Sequence, residues 1–423
     1  MRDGGRIAAA IEVLADIDVG HRPAHLALRR WGEGARYAGA KDRAFVSGLV
    51  LDALRRRRSI AWMMGDESDR ARTLGVLRFA WGWEIERLAA AAEEPHGPGA
   101  LSEAERMRLD APASLDDAPP PVRGDYPDWL DASLARVFGE ARAAEGQALA
   151  ARAPVDVRVN GLKSDADHVL KALAPFGAEP LAFPPGAIRI AAPAASERAA
   201  PVEAAPAFER GWFEVQDAGS QVAAAVAGEI KGRQVLDFCA GGGGKTLALA
   251  AAMGNTGQLY AYDSDARRLA DTVRRAQRAG VRNLQVRSPI DRRALDGLED
   301  RMDLVFVDAP CTGSGTWRRH PDAKWRLAPQ QLERRIAEQD AVLAAAAPFV
   351  KLGGRLVYVT CSLLAEENED RVAAFARAHA AFSPAAIGLE GAAPWRTAGG
   401  FLRLTPRSAG TDGFFVAALV RAR

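Results

Sequence analysis

The chain has 423 residues, of which 48% are hydrophobic, and this length and composition predict a soluble protein of two or three packed domains. Its three cysteines and six histidines show neither CxxC nor metal-ligand spacing, which argues against a disulfide scaffold and against a metal site. The formal net charge of +2 is too small to indicate a nucleic-acid-binding protein by itself, so any such binding must come from local patches.

The N-terminal sequence predicts helices and no membrane segment. Acidic residues interrupt the apolar stretch of MRDGGRIAAAIEVLADIDVG, and no stretch approaches about eighteen uncharged apolar residues, so we expect a cytoplasmic monomer without a membrane partner. Apolar positions recur at helical spacing and predict an all-helical domain over residues 1–90. The basic run RRRR at residues 55–58 lies late in a helix and is either a solvated face or an RNA-phosphate patch.

Segments rich in alanine and proline mark the next boundaries. Residues 91–127 also contain many acidic residues and include PPP at 119–121, so we expect an extended connector there. Residues 128–205 begin with a helix and continue as strand, helix and strand. This pattern predicts a small α+β unit, which a second Ala/Pro-rich connector separates from the last part of the chain.

Strands and helices alternate in that last part. The strands QVLDFCA, QLYAYDSD, DLVFVDAP and GRLVYVTCS are separated by helical stretches, which predicts an α/β domain with a parallel sheet over residues 206–423. In such sheets ligands bind beyond the carboxyl ends of the strands. The glycines at 241–244, Asp263, Asp308 with Cys311, and Cys361 all follow strands, so we expect one active site assembled from four strand ends.

The glycine loop CAGGGGKT favours a nucleoside ligand without a pyrophosphate. A phosphate-binding loop requires glycine where Cys239 stands, and a dinucleotide fingerprint started at Gly241 meets Thr246 in place of its last glycine. The remaining pattern is a strand, a glycine turn and an acid, Asp263, at the end of the next strand, where it suits a ribose diol. S-adenosylmethionine is the expected ligand, and the alternative is a tight turn that binds nothing.

Several motifs together resemble one enzyme family. VLDFCAGGGGKT, FVDAPCTGSGTWRRHPDAKW, VYVTCSLLAEENE and the terminal GTDGFFVAALV resemble, in order and spacing, the motifs of the RsmB/Nop2/Sun family of RNA cytosine-5 methyltransferases. AKDRAFVSGLVLDALRRR is similar to the NusB-like domain of the family's bacterial small-subunit rRNA members. The resemblance implies a Rossmann-like, S-adenosylmethionine-dependent methyltransferase domain, an RRM-like α+β unit and an all-helical NusB-like N-terminal domain. It implies small-subunit rRNA as substrate, with tRNA as the alternative.

The chemistry of cytosine explains why such a site carries two thiols. Carbon 5 is too weak a nucleophile to attack a methyl sulfonium until a thiolate has added to carbon 6. The resemblance implies that Cys361 is this nucleophile and Cys311 assists product release, while Asp308 contacts the cytosine edge and the cofactor. It also implies a cofactor site made by Cys239, Ala240, Gly241, Gly242, Gly243, Gly244, Lys245, Asp263 and Asp308. Cys239 has an equal alternative as an inert core thiol.

Basic residues lie between two tryptophans just after Cys311. Trp317 and Trp325 flank Arg318, Arg319, His320 and Lys324. A flipped, stacked nucleotide and its phosphates need this combination, so we expect RNA contact there, and the alternative is a solvated loop.

The chain departs from the family pattern at two places. Gly241 and Gly242 stand where the family has Ala-Pro, which predicts a more flexible turn. Where the family has an acid after the third strand, this chain has Ser288 and Pro289, and Asp291 follows two residues later.

Three other classes of protein fit the motifs less well. A DNA cytosine-5 methyltransferase uses the Pro-Cys thiol as nucleophile and needs no second thiol. An amino-group methyltransferase has an Asn/Asp-Pro-Pro-aromatic motif where DAPC stands. A non-catalytic RNA-binding assembly factor is expected to have lost at least one of Asp308, Cys311 and Cys361, and all three are present.

Overall fold

The structure is a computed structural model that describes residues 1–422 of the chain. The chain forms two compact units, each of which combines segments that are distant in sequence. The first unit comprises Met1–Ala153, Ala192–Ala199 and Trp317–Leu327, and the second comprises Pro154–Ala191, Ala200–Thr316 and the chain from Ala328 onward.

The first unit is helical and has no strand among its described residues. Its N-terminal segment contains α1 (Asp3–Gly20), α2 (Ala24–Gly34), α3 (Ala40–Arg55), α4 (Arg57–Met64), α5 (Asp69–Gly75), α6 (Ile85–Ala92), α7 (Glu103–Asp110), α8 (Pro120–Arg123), α9 (Asp131–Phe138) and α10 (Arg142–Leu149). Apolar residues at helical spacing form its core, in which Ile7 and Leu14 of α1 and Leu49 of α3 are fully buried. The predicted all-helical N-terminal region is confirmed. None of the helices in residues 1–422 is long and apolar enough to span a bilayer.

Residues 91–127 differ from the extended connector that the sequence predicted. They contain α7 and α8 and belong to the first unit. A capping box starts α7: Ser102 Oγ accepts from Glu105 N at 3.1 Å, and Glu105 Oε2 accepts from Ser102 N at 2.8 Å. Glu105 also accepts from Arg70 Nε at 2.6 Å, so local capping and an ion pair order a segment whose composition is that of a linker.

The basic run at residues 55–58 forms ion pairs within the first unit. Arg55 is buried, and its Nη1 lies 2.8 Å from Asp52 Oδ1. Arg57 pairs with Asp18 at 3.0 Å, and Arg58 pairs with Asp128 at 2.5 Å. Three of the four arginines in this run therefore pair with carboxylates of the same unit.

An antiparallel sheet opens the second unit. Its elements are β1 (Val155–Val159), α11 (Ala166–Leu173), β2 (Ala178–Pro180), β3 (Ala187–Ile190), α12 (Pro206–Glu209), β4 (Phe213–Val215) and α13 (Ala218–Ala225). The strand order is β2-β3-β1-β4, and α11 packs on the sheet through Val169 and Leu173, next to Val157. The predicted helix within 128–152 is present as α9 and α10 but belongs to the first unit, so this α+β region starts at Pro154.

A larger sheet carries the functional residues. From β5 onward the elements are β5 (Gln234–Asp237), α14 (Gly244–Met253), β6 (Gln258–Tyr262), α15 (Ala266–Ala279), β7 (Leu284–Arg287), β8 (Met302–Asp308), α16 (Ala323–Arg326, in the first unit), α17 (Pro329–Ala346), β9 (Val350–Thr360), α18 (Glu369–Ala378), β10 (Phe382–Pro384), β11 (Leu402–Leu404), α19 (Pro406–Ala409) and β12 (Phe414–Arg421). The order is β10-β12-β9-β8-β5-β6-β7, with β11 paired to β12.

The strands β7, β6, β5, β8 and β9 run parallel, which confirms the predicted α/β domain. The antiparallel strands β10, β11 and β12 at one edge were not predicted. Because the carboxyl ends of parallel strands meet at one edge of a sheet, the residues that follow β5, β6, β8 and β9 come together there.

Candidate active site

The glycine loop between β5 and α14 is tied to the end of β6. Ala240 N donates to Tyr262 O at 2.9 Å, and Gly241 N donates to Asp263 Oδ2 at 2.8 Å. These bonds place the loop and Asp263 side by side, as the sequence predicted for a site at the strand ends.

The glycines of the loop have different roles, and Gly243 is the one whose conformation and surroundings require glycine. Gly243 has φ 85°, and a Cβ at this position would lie 2.9 Å from Thr272 Oγ1. A Cβ on Gly242 or Gly244 would meet no atom closer than 3.7 Å, so the backbone borders open space at these positions. A ligand can therefore approach the backbone at the start of α14.

Side chains of α15 hold the carbonyl groups of the same loop. Thr272 Oγ1 donates to Gly241 O at 2.9 Å, and Arg275 Nη1 donates to Gly242 O at 2.6 Å. Arg275 Nη2 in turn lies 2.9 Å from Glu214, a buried carboxylate on β4. The sequence predicted a more flexible turn because Ala-Pro is missing, and these side chains supply constraints that the local sequence does not show.

Asp263 is buried, and both of its carboxylate oxygens face backbone donors. Oδ2 accepts from Gly241 N, and Oδ1 accepts from Asp265 N at 2.8 Å. Each oxygen keeps a further lone pair, so a carboxylate oriented in this way can accept from the two hydroxyls of a ribose.

Asp237, at the end of β5, was not singled out by the sequence analysis. Its side chain is fully buried, and Thr246 Oγ1 donates to Oδ2 at 2.6 Å. Burial raises the pKa of Asp237 to about 7, against the hydrogen bond from Thr246, which lowers it. Among the described residues, no hydrogen-bond partner reaches its Oδ1.

Lys245 and Asp308 form a partly buried ion pair between α14 and the end of β8. Lys245 Nζ lies 2.6 Å from Asp308 Oδ2. Burial lowers the pKa of Lys245, but attraction to Asp308 and their hydrogen bond outweigh it, so the pKa is raised and the amine is an ammonium. The charge of Cys361 contributes to the same rise in the pKa of Lys245. The structure thus brings Lys245 and Asp308 together at the start of α14 and the end of β8.

The two predicted catalytic thiols are in contact. Cys311 follows β8 and Cys361 follows β9, and their Sγ atoms are 3.3 Å apart. The hydrogen bond with the Cys361 thiol, together with burial, raises the pKa of Cys311 well above its ordinary value. Cys311 is therefore a neutral thiol that can donate a proton to the sulfur beside it.

The C-terminal motif GTDGFF packs beside the thiol loops. Gly413 N donates to Gly315 O at 2.8 Å, and a Cβ on Gly315 would lie 2.3 Å from Gly413 O. Phe414 places its ring 5.2 Å from Lys245 Nζ. Both glycines are needed because two backbone segments touch here.

Two sequence interpretations concern residues at the margin of this site. Burial raises the pKa of the Cys239 thiol, and its side chain packs against the core of the sheet, as expected of a structural cysteine. Asp291 is exposed, and its Oδ1 accepts from Arg293 N at 2.9 Å in a turn that follows β7. The carboxylate of Asp291 thus stabilises its own turn.

The basic residues after Cys311 do not form one exposed patch. Lys324 is 1% exposed, and its Nζ donates to Arg55 O at 2.8 Å within the first unit. Arg318 is also buried, and its carbonyl accepts from the Arg55 guanidinium at 2.9 Å. Burial lowers the pKa of Lys324 to about 7. A buried side chain does not reach an RNA phosphate, so the structure corrects the predicted RNA contact for Arg318 and Lys324 and leaves half-buried Arg319 and exposed His320 as candidates.

The residues of the site fit S-adenosylmethionine. The open backbone at Gly242 and Gly244 provides a cradle that side chains would fill. Asp263 provides acceptors for ribose hydroxyls. The backbone of Cys239, Ala240 and Gly241 completes the loop that leads from β5 to α14, while the Cys239 thiol packs against the core of the sheet.

Comparison with known proteins agrees with this site. A sequence model of the family described as 16S rRNA methyltransferase RsmB/F matches residues 226–420. Ribosomal RNA small subunit methyltransferase B from Erwinia tasmaniensis is 30% identical over 417 residues, which cover 90% of this chain and 91% of the relative. The crystal structure of PH0851 matches with 26% identity and a TM-score of 0.73, over 99% of both chains. NSun6 from Pyrococcus horikoshii, solved with the S-adenosylmethionine analogue SFG, shares the fold with 21% identity and a TM-score of 0.62, over 70% of this chain and 98% of that one.

The alignment with the Erwinia relative spans nearly the whole chain, and the family match covers the sheet that carries the glycine loop and both thiols. The fold is that of S-adenosylmethionine-dependent methyltransferases. The chain therefore belongs to the RsmB/F family of 16S rRNA methyltransferases and is an RNA methyltransferase that uses S-adenosylmethionine.

Proposed function

We propose that this protein methylates carbon 5 of a cytosine in small-subunit ribosomal RNA through a covalent adduct between Cys361 and carbon 6. The observation that carries the proposal is the contact of the two thiols, 3.3 Å apart, at the ends of β8 and β9. Neither methylation of an exocyclic amine nor simple RNA binding requires such a pair. The names of the relatives support small-subunit rRNA as the substrate.

In the first step the Cys361 thiolate adds to carbon 6 of the cytosine. The Lys245 ammonium stabilises that thiolate, and Asp308, fixed by Lys245, lies at the carboxyl end of β8 where the edge of the base would dock. S-adenosylmethionine, when bound, supplies an electrophilic methyl group, which carbon 5 accepts after the addition has made it electron-rich. Asp263 and the glycine loop orient the donor.

In the release step a base removes the proton from carbon 5, the C6–S bond breaks, and its electron pair returns to the Cys361 sulfur. The Cys311 thiol donates its proton to that sulfur, since it is in contact with it and its raised pKa keeps it protonated. The Cys311 thiolate is then reprotonated from the base that took the carbon-5 proton.

We assign RNA contact after Cys311 to Arg319 and His320. His320 is exposed and Arg319 is half-buried, whereas their neighbours Arg318 and Lys324 are buried. An exposed imidazole and a guanidinium can bind the phosphates that flank the target nucleotide.

The test is a comparison of single cysteine variants with small-subunit rRNA from cells that lack the modification, incubated with labelled S-adenosylmethionine. Cys361→Ala should give neither methyl transfer nor adduct, because the nucleophile is missing. Cys311→Ala should accumulate an RNA–protein adduct that survives denaturing electrophoresis, because the proton donor for release is missing.

The third cysteine provides a matched control. Cys239→Ala should methylate the RNA and release it like the unchanged protein, since its thiol packs in the core of the sheet. If Cys361→Ala still transfers methyl groups while Cys311→Ala is inactive and adduct-free, the assignment of the nucleophile is wrong.

A further inference from the structure

The loop that carries Cys311 is held by two buried side chains from outside it. Glu367 Oε1 accepts from Thr312 N at 2.8 Å, and Glu367 Oε2 accepts from Thr312 Oγ1 at 2.5 Å. Gln339 Nε2 donates both to Pro310 O and to Glu367 Oε1, in each case at 2.9 Å. The residues before and after Cys311 are therefore bonded to one continuous network.

Asn368, the residue after Glu367, holds the loop that carries Cys361 in the same manner. Asn368 Oδ1 accepts from Thr360 Oγ1 at 2.5 Å, and Asn368 Nδ2 donates to Ser362 O at 2.9 Å. Thr360 and Ser362 are the immediate neighbours of Cys361, so the Asn368 amide group bonds to the residues on both sides of the nucleophile. Asn368 is fully buried, which excludes water as a competing partner.

Direct bonds between the two loops complete the arrangement. Ser314 Oγ and Ser362 Oγ are 3.0 Å apart, and Ser314 Oγ accepts from Leu363 N at 2.8 Å. Gly315 N donates to Cys361 O at 2.9 Å. The distance between the thiols is thus determined by groups on both loops.

We propose that Glu367 and Asn368 are the positioning residues of the two thiols, Glu367 for Cys311 and Asn368 for Cys361. Because they are consecutive, one short turn fixes both sulfurs relative to each other. Neither side chain is assigned a contact with the base or the cofactor, so both act through the loops that they bind. The inference rests on the proposed two-thiol function and adds the groups that make its geometry.

Glu367 has a second effect on the thiol that it positions. Its side chain is fully buried, and all of its side-chain hydrogen bonds come from neutral donors. The negative charge of Glu367 is one of the causes that raise the pKa of Cys311, after the hydrogen bond with Cys361 and burial. The carboxylate therefore helps to keep Cys311 in the protonated form that release requires.

The two residues should affect different steps of the reaction. Glu367→Gln keeps the size of the side chain but loses one acceptor and the charge, so adduct should form and then accumulate, as in Cys311→Ala. Asn368→Ala frees both neighbours of Cys361, so adduct formation itself should slow. For each variant we expect turnover about 10- to 100-fold lower, the size expected when a reacting group is misplaced by a fraction of an ångström to an ångström.

Glu369→Gln is the matched control, because it makes the same chemical change two residues away in a side chain that pairs with Arg403 and not with a thiol loop. It should methylate and release RNA normally. Cofactor binding by equilibrium dialysis should be equal in all variants. If Glu367→Gln and Asn368→Ala lower adduct formation and release in the same proportion, their role is only structural and the inference is overturned.

A readout without RNA separates this inference from the proposed function. In a Cys239→Ala background, dibromobimane should bridge Cys311 and Cys361 and fluoresce, because the two sulfurs are in contact. Bridging should fall several-fold in Glu367→Gln and Asn368→Ala and stay unchanged in Glu369→Gln. Unchanged bridging in all variants would refute the positioning role even if the two-thiol mechanism is correct. Reduced bridging, with Cys361→Ala still active, would instead refute the proposed function alone.

Discussion

Replacing Asp237 by asparagine tests the protonation that burial imposes on the end of β5. The carboxyl is fully buried and its pKa is raised from 3.8 to about 7, so its ionisation in the folded protein removes about 4 kcal/mol of stability. The folded pKa lies above the unfolded one. The stability that the protonated group contributes is therefore complete below pH 3.8 and is lost as the pH rises through about 7.

The stability falls with each pH unit between the unfolded pKa of 3.8 and the folded pKa of about 7. Two of these units lie between pH 5 and pH 7. The unchanged protein should therefore lose about 3 kcal/mol more than Asp237→Asn between pH 5 and pH 8. Asparagine keeps an acceptor for the Thr246 hydroxyl, so the hydrogen bond to α14 survives. Urea unfolding of both proteins at the two pH values measures the difference, and other titrating groups cancel in the comparison.

Asp291→Asn is the control, because this carboxyl is exposed, and its stability should follow that of the unchanged protein at both pH values. Parallel pH dependence of Asp237→Asn and the unchanged protein, within about 1 kcal/mol, would refute the argument that Asp237 is protonated near neutral pH in the fold.

Three further substitutions test other parts of the site. Lys245→Met should lower methyl transfer about 100-fold or more in a single-turnover assay while the protein stays folded, because it removes the cation that pairs with Asp308 and that the proposed mechanism uses to stabilise the Cys361 thiolate. Arg275→Leu should weaken binding of S-adenosylmethionine about 10-fold in equilibrium dialysis, because it removes a charge-assisted bond to Gly242 O, whereas exposed Arg274→Leu should not. Arg319→Gln should reduce the slope of log affinity for RNA against log salt concentration by about 1. Lys324→Met, at a buried site, is the control and should leave this slope unchanged. Equal slopes for the two variants would show that Arg319 does not contact RNA.

Local sequence patterns were sufficient for the elements whose period is regular. The alternation of apolar strands and helices from β5 to β9 identified the parallel sheet, since such strands need a helical crossover between them. The antiparallel strand β12 lies beside β9 without that signal, and its position was not predicted. In the segment 91–127 the composition of a linker hid a capping box and an ion pair with Arg70, which only folding brings to Glu105.

The candidate site divides in the same way. The order of strands and motifs was enough to predict that a glycine loop, Asp263, Asp308, Cys311 and Cys361 meet at one edge of the sheet, because parallel strands align their carboxyl ends.

The surroundings of these groups depend on the folded chain and could not be predicted from local sequence. The tertiary structure alone shows that Gln339 and Glu367 hold the Cys311 loop and that Arg275 holds the glycine loop. It also shows that Lys324, which lies in a basic segment expected to contact RNA or solvent, is buried and donates a hydrogen bond to Arg55 O. Burial and hydrogen-bond partners depend on residues 28 to 269 positions apart in these cases, and no local pattern encodes contacts over such separations.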